Sequence, residues 1–279
     1  MSPLQDRFDL SNDHCVKLKT AKGISVTKDD KAIMTPSDCI AALGLLSRLP
    51  VRVDMERAQK RGAKAAWAYP IAGLVLGGLT VLFGIALIML GIPNIATAGI
   101  MLVFMTVITG AMHEDGLADS CDGLWGGWDK TRRLEIMKDS AIGAYGVIGL
   151  ILTLGLRWVG YWLLIENNAM WALVAVAALS RAAMVPVMTA LPNARDTGLS
   201  HHVGRPTPQT AWIAIAIAFV VSIVVLGLTT VPVLIVMAFA VTAWAATAHQ
   251  KIGGQTGDIL GATQQVVEIA VLLVLVSGY

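Results

Sequence analysis

Between residues 68 and 278 the chain is built almost entirely of apolar runs, several of them reaching the roughly 20 residues an α-helix needs to cross a bilayer. Runs this long read as helices. They fall at about 68–91, 95–112, 144–165, 169–191, 211–229, 231–249 and 259–278, which predicts an all-α, polytopic integral membrane helical bundle of about seven transmembrane helices. Composition agrees: 56% of residues are hydrophobic and 14% charged, with a mean hydropathy of +0.68.

Residues 1–36 differ in kind. LQDRFDLSNDHCVKLKTAKG is polar, mixed in charge and without a signal-peptide pattern, so it reads as an N-terminal extension to a membrane domain at 37–279. Cys15, Cys39 and Cys121 are too few and too scattered for a disulfide framework or a cysteine metal site, and are expected to be reduced thiols.

Basic residues favour the cytoplasmic side of a bacterial-type membrane. Of the 21 Lys and Arg, 12 precede residue 65, which puts the N-terminus in the cytoplasm. Counting crossings forward, the loops at 113–143, 192–210 and 250–258 return to that side, while the opposite side receives short turns around Pro93, 166–168 and Thr230. An enzyme drawing on cytoplasmic substrates fits this asymmetry better than a transporter, which needs a vestibule on both faces.

The polar loops carry the chemistry. HEDGLADSCDGLWGG, residues 113–127, follows directly on an apolar run. At about 100° per residue, Asp115, Asp119 and Asp122 fall within an arc of about 60° on one helix face. Three unpaired carboxylates there would repel one another, so a cation should sit among them, and hard oxygen ligands favour Mg²⁺. Gly116 and Gly123 would let a bulky ligand approach the backbone. Downstream, RRLEIMKDSAIGAYG adds Arg132, Arg133 and Lys138 beside Asp139, the cations a phosphorylated substrate requires, although basic residues after a span also serve orientation.

Two polar sites lie at membrane depth or at its edge. Arg181 sits mid-span, where a charge normally pairs or serves a site. Arg157, beside Trp158, is more ambiguous: a snorkelling side chain or a structural ion pair is at least as readable there as a functional role. In GGQTGDILGATQQVVE, Gly253, Gly257 and Gly261 recur every four residues, a stripe permitting close packing or ligand approach. Asp258 begins that helix, and Gln264 and Glu268 share a face inside it. His201 and His202 are adjacent, point different ways, and read as loop residues.

These motifs together resemble the cobalamin synthase (adenosylcobinamide-GDP ribazoletransferase) family. The family's His-x-Asp-Gly-x-Ala-Asp-x-x-Asp-Gly pattern stands here as HEDGLADSCDG, followed by RLEIMKDSAIGAYG. SRLPV at 47–51, WAYPIAG at 67–73, SRAAM at 180–184, ARDTGL at 194–199 and GGQTGDILGA at 253–262 also match, in order, from about Ser37 onward; LSHHVGRPTPQ matches less well.

The resemblance implies a transferase of vitamin B12 biosynthesis that joins alpha-ribazole, or its 5'-phosphate, to adenosylcobinamide-GDP with release of GMP. It implies Mg²⁺ as cofactor, a place in the bacterial cytoplasmic (inner) membrane within the lipid bilayer, and no nucleic-acid partner; homo-oligomerisation is left open. With it, Asp115, Asp119 and Asp122 are assigned to metal, and His113, Lys138 and Asp139 to catalysis, His113 or Asp139 acting on the hydroxyl. Glu114, Arg133, Arg181, Arg195, Gly257, Asp258 and Glu268 are assigned to substrate. Two rivals remain. A CDP-alcohol phosphotransferase would need Arg where this chain has Asp119, and a transporter using Arg181 and Glu268 would be supported by inverted repeats, which the sequence lacks.

Overall fold

The computed structural model describes residues 32–278; the expected N-terminal extension lies, except for its last few residues, outside the described part. Two short helices come first, α1 (Pro36–Leu46) and α2 (Met55–Arg61), followed by a 3-10 turn at Gly62–Ala68. The longer helices are α3 (Tyr69–Met89), α4 (Asn94–Thr109), α5 (Met112–Gly126), α7 (Ala144–Glu166), α11 (Pro208–Leu226), α12 (Thr230–Ile252) and α13 (Gly257–Val276). Between them lie α6 (Lys130–Ile136), the paired segments α8 (Ala172–Ala182) and α9 (Met184–Ala190), and α10 (Leu199–Val203). His201 and His202 therefore sit on a five-residue helix, α10, rather than in the expected loop.

By length and composition, five helical runs among the described residues can cross a membrane, or six if α4 and α5 count as one broken span. The longest run, Pro208–Ile252, spans 45 residues and as a straight rod would measure about 68 Å. It doubles back. Gly227 takes a positive φ of 58° between α11 and α12, and both outer ends return to the 189–194 segment. Arg205 Nη2 donates to Thr189 O at 2.7 Å, while Gln255 N donates to Pro192 O at 2.8 Å and Ala194 N to Gln255 O at 2.9 Å. The two apolar segments expected at 211–229 and 231–249 are thus a helical hairpin.

The core runs along α8, in which every residue from Ala172 to Ala182 is buried, and along α13. The outward faces of α4, α7, α11 and α12 remain apolar and exposed, as at Val103, Ile151, Val224 and Phe239, the reverse of a water-soluble surface and the pattern of a lipid-facing one. Exposed tryptophans stand at both ends, Trp158 and Trp171 at one, Trp125, Trp128 and Trp212 at the other, as interfacial aromatics do.

The expected helix at 95–112 ends early. Gly110 (φ 68°) and Ala111 (φ 57°) are both left-handed, and α5 leaves α4 at 88°. Glycine is required at 110 by its φ, and a Cβ there would also displace the Arg48 guanidinium, which lies over it. The acidic stretch therefore forms a helix of its own, wedged between α7 and α13.

Candidate active site

Asn94 Nδ2 donates to Glu166 Oε1 at 3.2 Å, joining two turns at one end of the bundle. The loops bearing the sequence motifs all meet at the other. Arg133 Nη1 donates to Lys251 O at 2.9 Å, Arg195 Nη2 pairs with Asp258 Oδ2 at 3.0 Å, and an isolated parallel bridge links Asn193 to Gln255. The 113–143, 192–210 and 250–258 segments, far apart in sequence, make one polar face.

α5 lies closely on the start of α13. A Cβ on Gly116 would fall 2.9 Å from Asp258 O, and one on Gly261 would fall 3.3 Å from His113 Cα. Gly116 and Gly261 thus serve helix packing, and Gly253, expected on the same stripe, instead caps α12 at a φ of 76°. The close approach carries Asp258 to the acidic face of α5: Asp119 lies in the field of Asp258 first, then of Asp115 and Asp122, with Arg195 the opposing charge.

Asp122 is differently placed. It is buried, and its two oxygens accept the backbone N–H groups of Gly143 (2.7 Å) and Gly146 (2.9 Å) at the start of α7. A carboxylate at a helix N-terminus satisfies donors that have no partner within the helix. Asp115 is exposed and Asp119 half-buried, with no hydrogen bond shown to either side chain. Among the described residues no three His, Cys, Asp or Glu side chains converge closely enough, as they stand, to hold one metal ion.

The other expected site residues divide into two groups. On the open face, Lys138 and Asp139 lie in the exposed loop before α7, where Asp139 Oδ1 accepts Ala141 N at 3.1 Å. Gly257 begins α13 with no atom within 4 Å of where a Cβ would be. Arg195 holds Asp258 through Nη2 while its Nη1 has no acceptor. Arg133 spends its guanidinium on main-chain carbonyls of Gly127, Trp128 and Lys251, fastening α6 to the end of α12.

The second group lies inside the bundle. His113 is two residues, or about 200° of helix, from Asp115; it is 1% exposed and neither ring nitrogen has a partner. Glu114 Oε1 accepts Arg157 Nη1 at 2.7 Å and Gln265 Nε2 at 3.1 Å. Glu268 pairs with Arg157 at 2.9 Å and, more loosely, with Arg181 at 3.7 Å, and also accepts Tyr161 OH and Gln264 Nε2. The structure thus brings Arg181 to Glu268, and of the readings of Arg157 it places the side chain in a buried ion pair.

Arg157 and Gln265 are contributions that the sequence alone left unassigned. The signal available was the cost of a charge within an apolar span, but its partners lie 43 to 111 residues away in the chain. Arg48 belongs to the SRLPV motif, yet nothing in its local sequence indicates that it covers Gly110.

Fold and site together define a polytopic helical membrane protein with a one-sided polar site of carboxylates and arginines. The chain belongs to the cobalamin-5-phosphate synthase family, whose sequence model matches residues 38–276. It is 43% identical over 242 residues to the adenosylcobinamide-GDP ribazoletransferase of Bradyrhizobium diazoefficiens, covering 85% of this chain and 92% of that one. It is 39% identical over 247 residues to the protein of the same name from a Sinorhizobium species, covering 84% and 94%. No solved structure matches.

Proposed function

We propose that the protein is an adenosylcobinamide-GDP ribazoletransferase of a bacterial cytoplasmic membrane, with its motif-bearing end toward the cytoplasm. In this reading a ribose hydroxyl of alpha-ribazole, or of its 5'-phosphate, attacks the corrinoid-side phosphorus of adenosylcobinamide-GDP. The new P–O ester forms, the P–O bond to GMP breaks, and the hydroxyl proton is lost. The observation that carries the reading is the meeting of three separate motif loops around Asp115, Asp119, Asp258 and Arg195 at one end of the bundle, within the part of the chain that matches the family.

Mg²⁺ fits this donor set. The ion takes one or two carboxylates and completes its octahedron with water and substrate phosphate, so a closed three-residue cage is not required. Asp119 and Asp258, with Asp115 beside them, are the residues that would hold it; Asp122, expected to join them, supports the site by fixing α7. The bound ion would neutralise charge on the transferring phosphoryl group. Arg195 offers its acceptor-free Nη1 to a phosphate oxygen, and Lys138 adds a cation from the exposed loop. Of the two residues expected to take the hydroxyl proton, we assign the role to Asp139, because it is on the open side of the site, whereas His113 faces the interior.

A transporter would use Arg181 and Glu268 as free intramembrane charges, but here they face each other. The distinguishing experiment is to supply the purified protein, in detergent and without sealed vesicles, with adenosylcobinamide-GDP and alpha-ribazole. GMP release dependent on the riboside supports the transferase; its absence defeats it.

A further inference from the structure

One side chain touches every helix that carries the buried charges next to the acidic face, except α8. Arg157 of α7 donates from Nη1 to Glu114 of α5 at 2.7 Å and to Gln265 of α13 at 3.0 Å, and from Nε to Glu268 of α13 at 2.9 Å. It is 1% exposed. With Arg181, the group contains two arginines and two glutamates, so its formal charge balances.

Charge balance alone does not explain such a group. Burying paired ions rarely stabilises a fold more than apolar side chains of the same size would, whereas in some proteins such a group fixes which arrangement is adopted. The restriction matters for α5. Its left-handed entry at Gly110 and Ala111 and the 88° turn leave α4 unable to dictate how α5 is rotated about its own axis. α5 is held by its close packing on α13 at Gly116 and Gly261, by Asp122 and the Lys251 bond to Leu124 O toward its far end and, near its start, by the charged grip on Glu114. The grip on Glu114 runs through Oε1 alone, since Oε2 has no partner. The next residue is Asp115, and one turn further stands Asp119.

We propose that Arg157 is a positioning residue of the transferase: by holding Glu114 against α13 it sets the rotation of α5, and so the stance of Asp115 and Asp119 relative to Asp258. This rests on the function proposed above, and Arg157 touches no substrate. Displacing groups at a reacting centre by about 1 Å can cost about 100-fold in rate.

The test compares Glu268→Gln with the pair Arg157→Met/Glu268→Gln, reading thermal midpoint, GMP release and binding of Mn²⁺ alone by electron paramagnetic resonance. The single variant leaves two arginines facing one glutamate, while the pair restores balance but leaves Glu114 held by Gln265 without the arginine. A residue that only balances charge would give the pair both the higher midpoint and the higher turnover. The positioning role predicts the opposite ordering of the two readouts: the pair melts higher, yet releases GMP at least about 10-fold more slowly and binds Mn²⁺ more weakly. Equal or greater turnover in the pair overturns the proposal. Arg157→Lys covers the case in which either variant fails to fold. It keeps the charge but cannot bridge the two glutamates through a guanidinium fork, so it should fold, weaken Mn²⁺ binding and slow turnover by a similar factor; wild-type behaviour overturns the proposal. If the wild type itself releases no GMP, the function fails, and Mn²⁺ binding still decides the role of Arg157.

Discussion

Asp122 and Gly146 are joined across 24 residues by a hydrogen bond of 2.9 Å from the glycine N–H to the carboxylate, and a Cβ on Gly146 would fall 2.4 Å from that carboxylate's other oxygen. One of the three aspartates expected to bind metal is thus committed to holding the start of α7.

Asp122 and its neighbours should therefore separate in stability. Asp122→Ala removes an N-terminal helix cap and should lower stability by about 1–2 kcal/mol, visible as a lower thermal midpoint in detergent. Asp115→Asn, at an exposed position, should leave the midpoint unchanged while impairing turnover. Equal midpoints for both would remove the distinction.

Asp119 and Asp258 should behave as one unit. Each Asn variant is expected to lose about 100-fold in GMP release or more and to need more Mg²⁺ for what remains. The double variant should be little worse than the poorer single one, the non-additivity of groups acting through a shared ion. A Mg²⁺ titration of all three checks this; strictly multiplicative losses at unchanged Mg²⁺ requirement would refute the shared site.

Orientation is testable by labelling. In a chain whose native cysteines are replaced by serine, Asn167→Cys should react with an impermeant thiol reagent added to intact cells, and Thr207→Cys should not. The reverse would put the motif loops outside the cell.

Acid should weaken the fold at Asp38. Burial would raise this carboxyl, but hydrogen bonds from Arg61, Trp67 and the Thr35 N–H outweigh it and hold the group below its ordinary value of 3.8. A depressed folded value means that the pair's stability is fully present above the ordinary, unfolded-state value and is lost as pH falls from there through the lowered one. Asp38→Asn removes the charge that Arg61 pairs with at 2.6 Å and should lower the thermal midpoint at neutral pH. The variant should also show a flatter loss of thermal midpoint below about pH 4 than the wild type.

The membrane bundle was legible because hydropathy is a property of each segment by itself: the segments expected at 144–165, 169–191 and 259–278 differ from the observed helical runs by a few residues at most. The break at Gly110 and Ala111 was not, since an alanine adopts a left-handed conformation only when its surroundings impose it. Helical spacing correctly aligned Asp115, Asp119 and Asp122, but spacing gives an angle and not what the neighbouring helix brings to it. Here α7 brings backbone N–H groups to Asp122, and α13 brings a fourth carboxylate, Asp258, toward Asp119. Glu114 and Asp115 are adjacent in sequence, yet one is buried in the bundle and the other exposed, a division that becomes visible only with Arg157 and Gln265 in place.

The central claim is that transfer takes place at the face shared by α5 and α13. It is tested most directly by a mass spectrum of the products formed by purified wild type and by Asp119→Asn, each given adenosylcobinamide-GDP, alpha-ribazole and Mg²⁺. The wild type should yield the joined corrinoid and GMP in equal amounts, and the variant should leave both substrates nearly unconsumed while remaining folded. Joined product from Asp119→Asn at the wild-type rate would contradict the account.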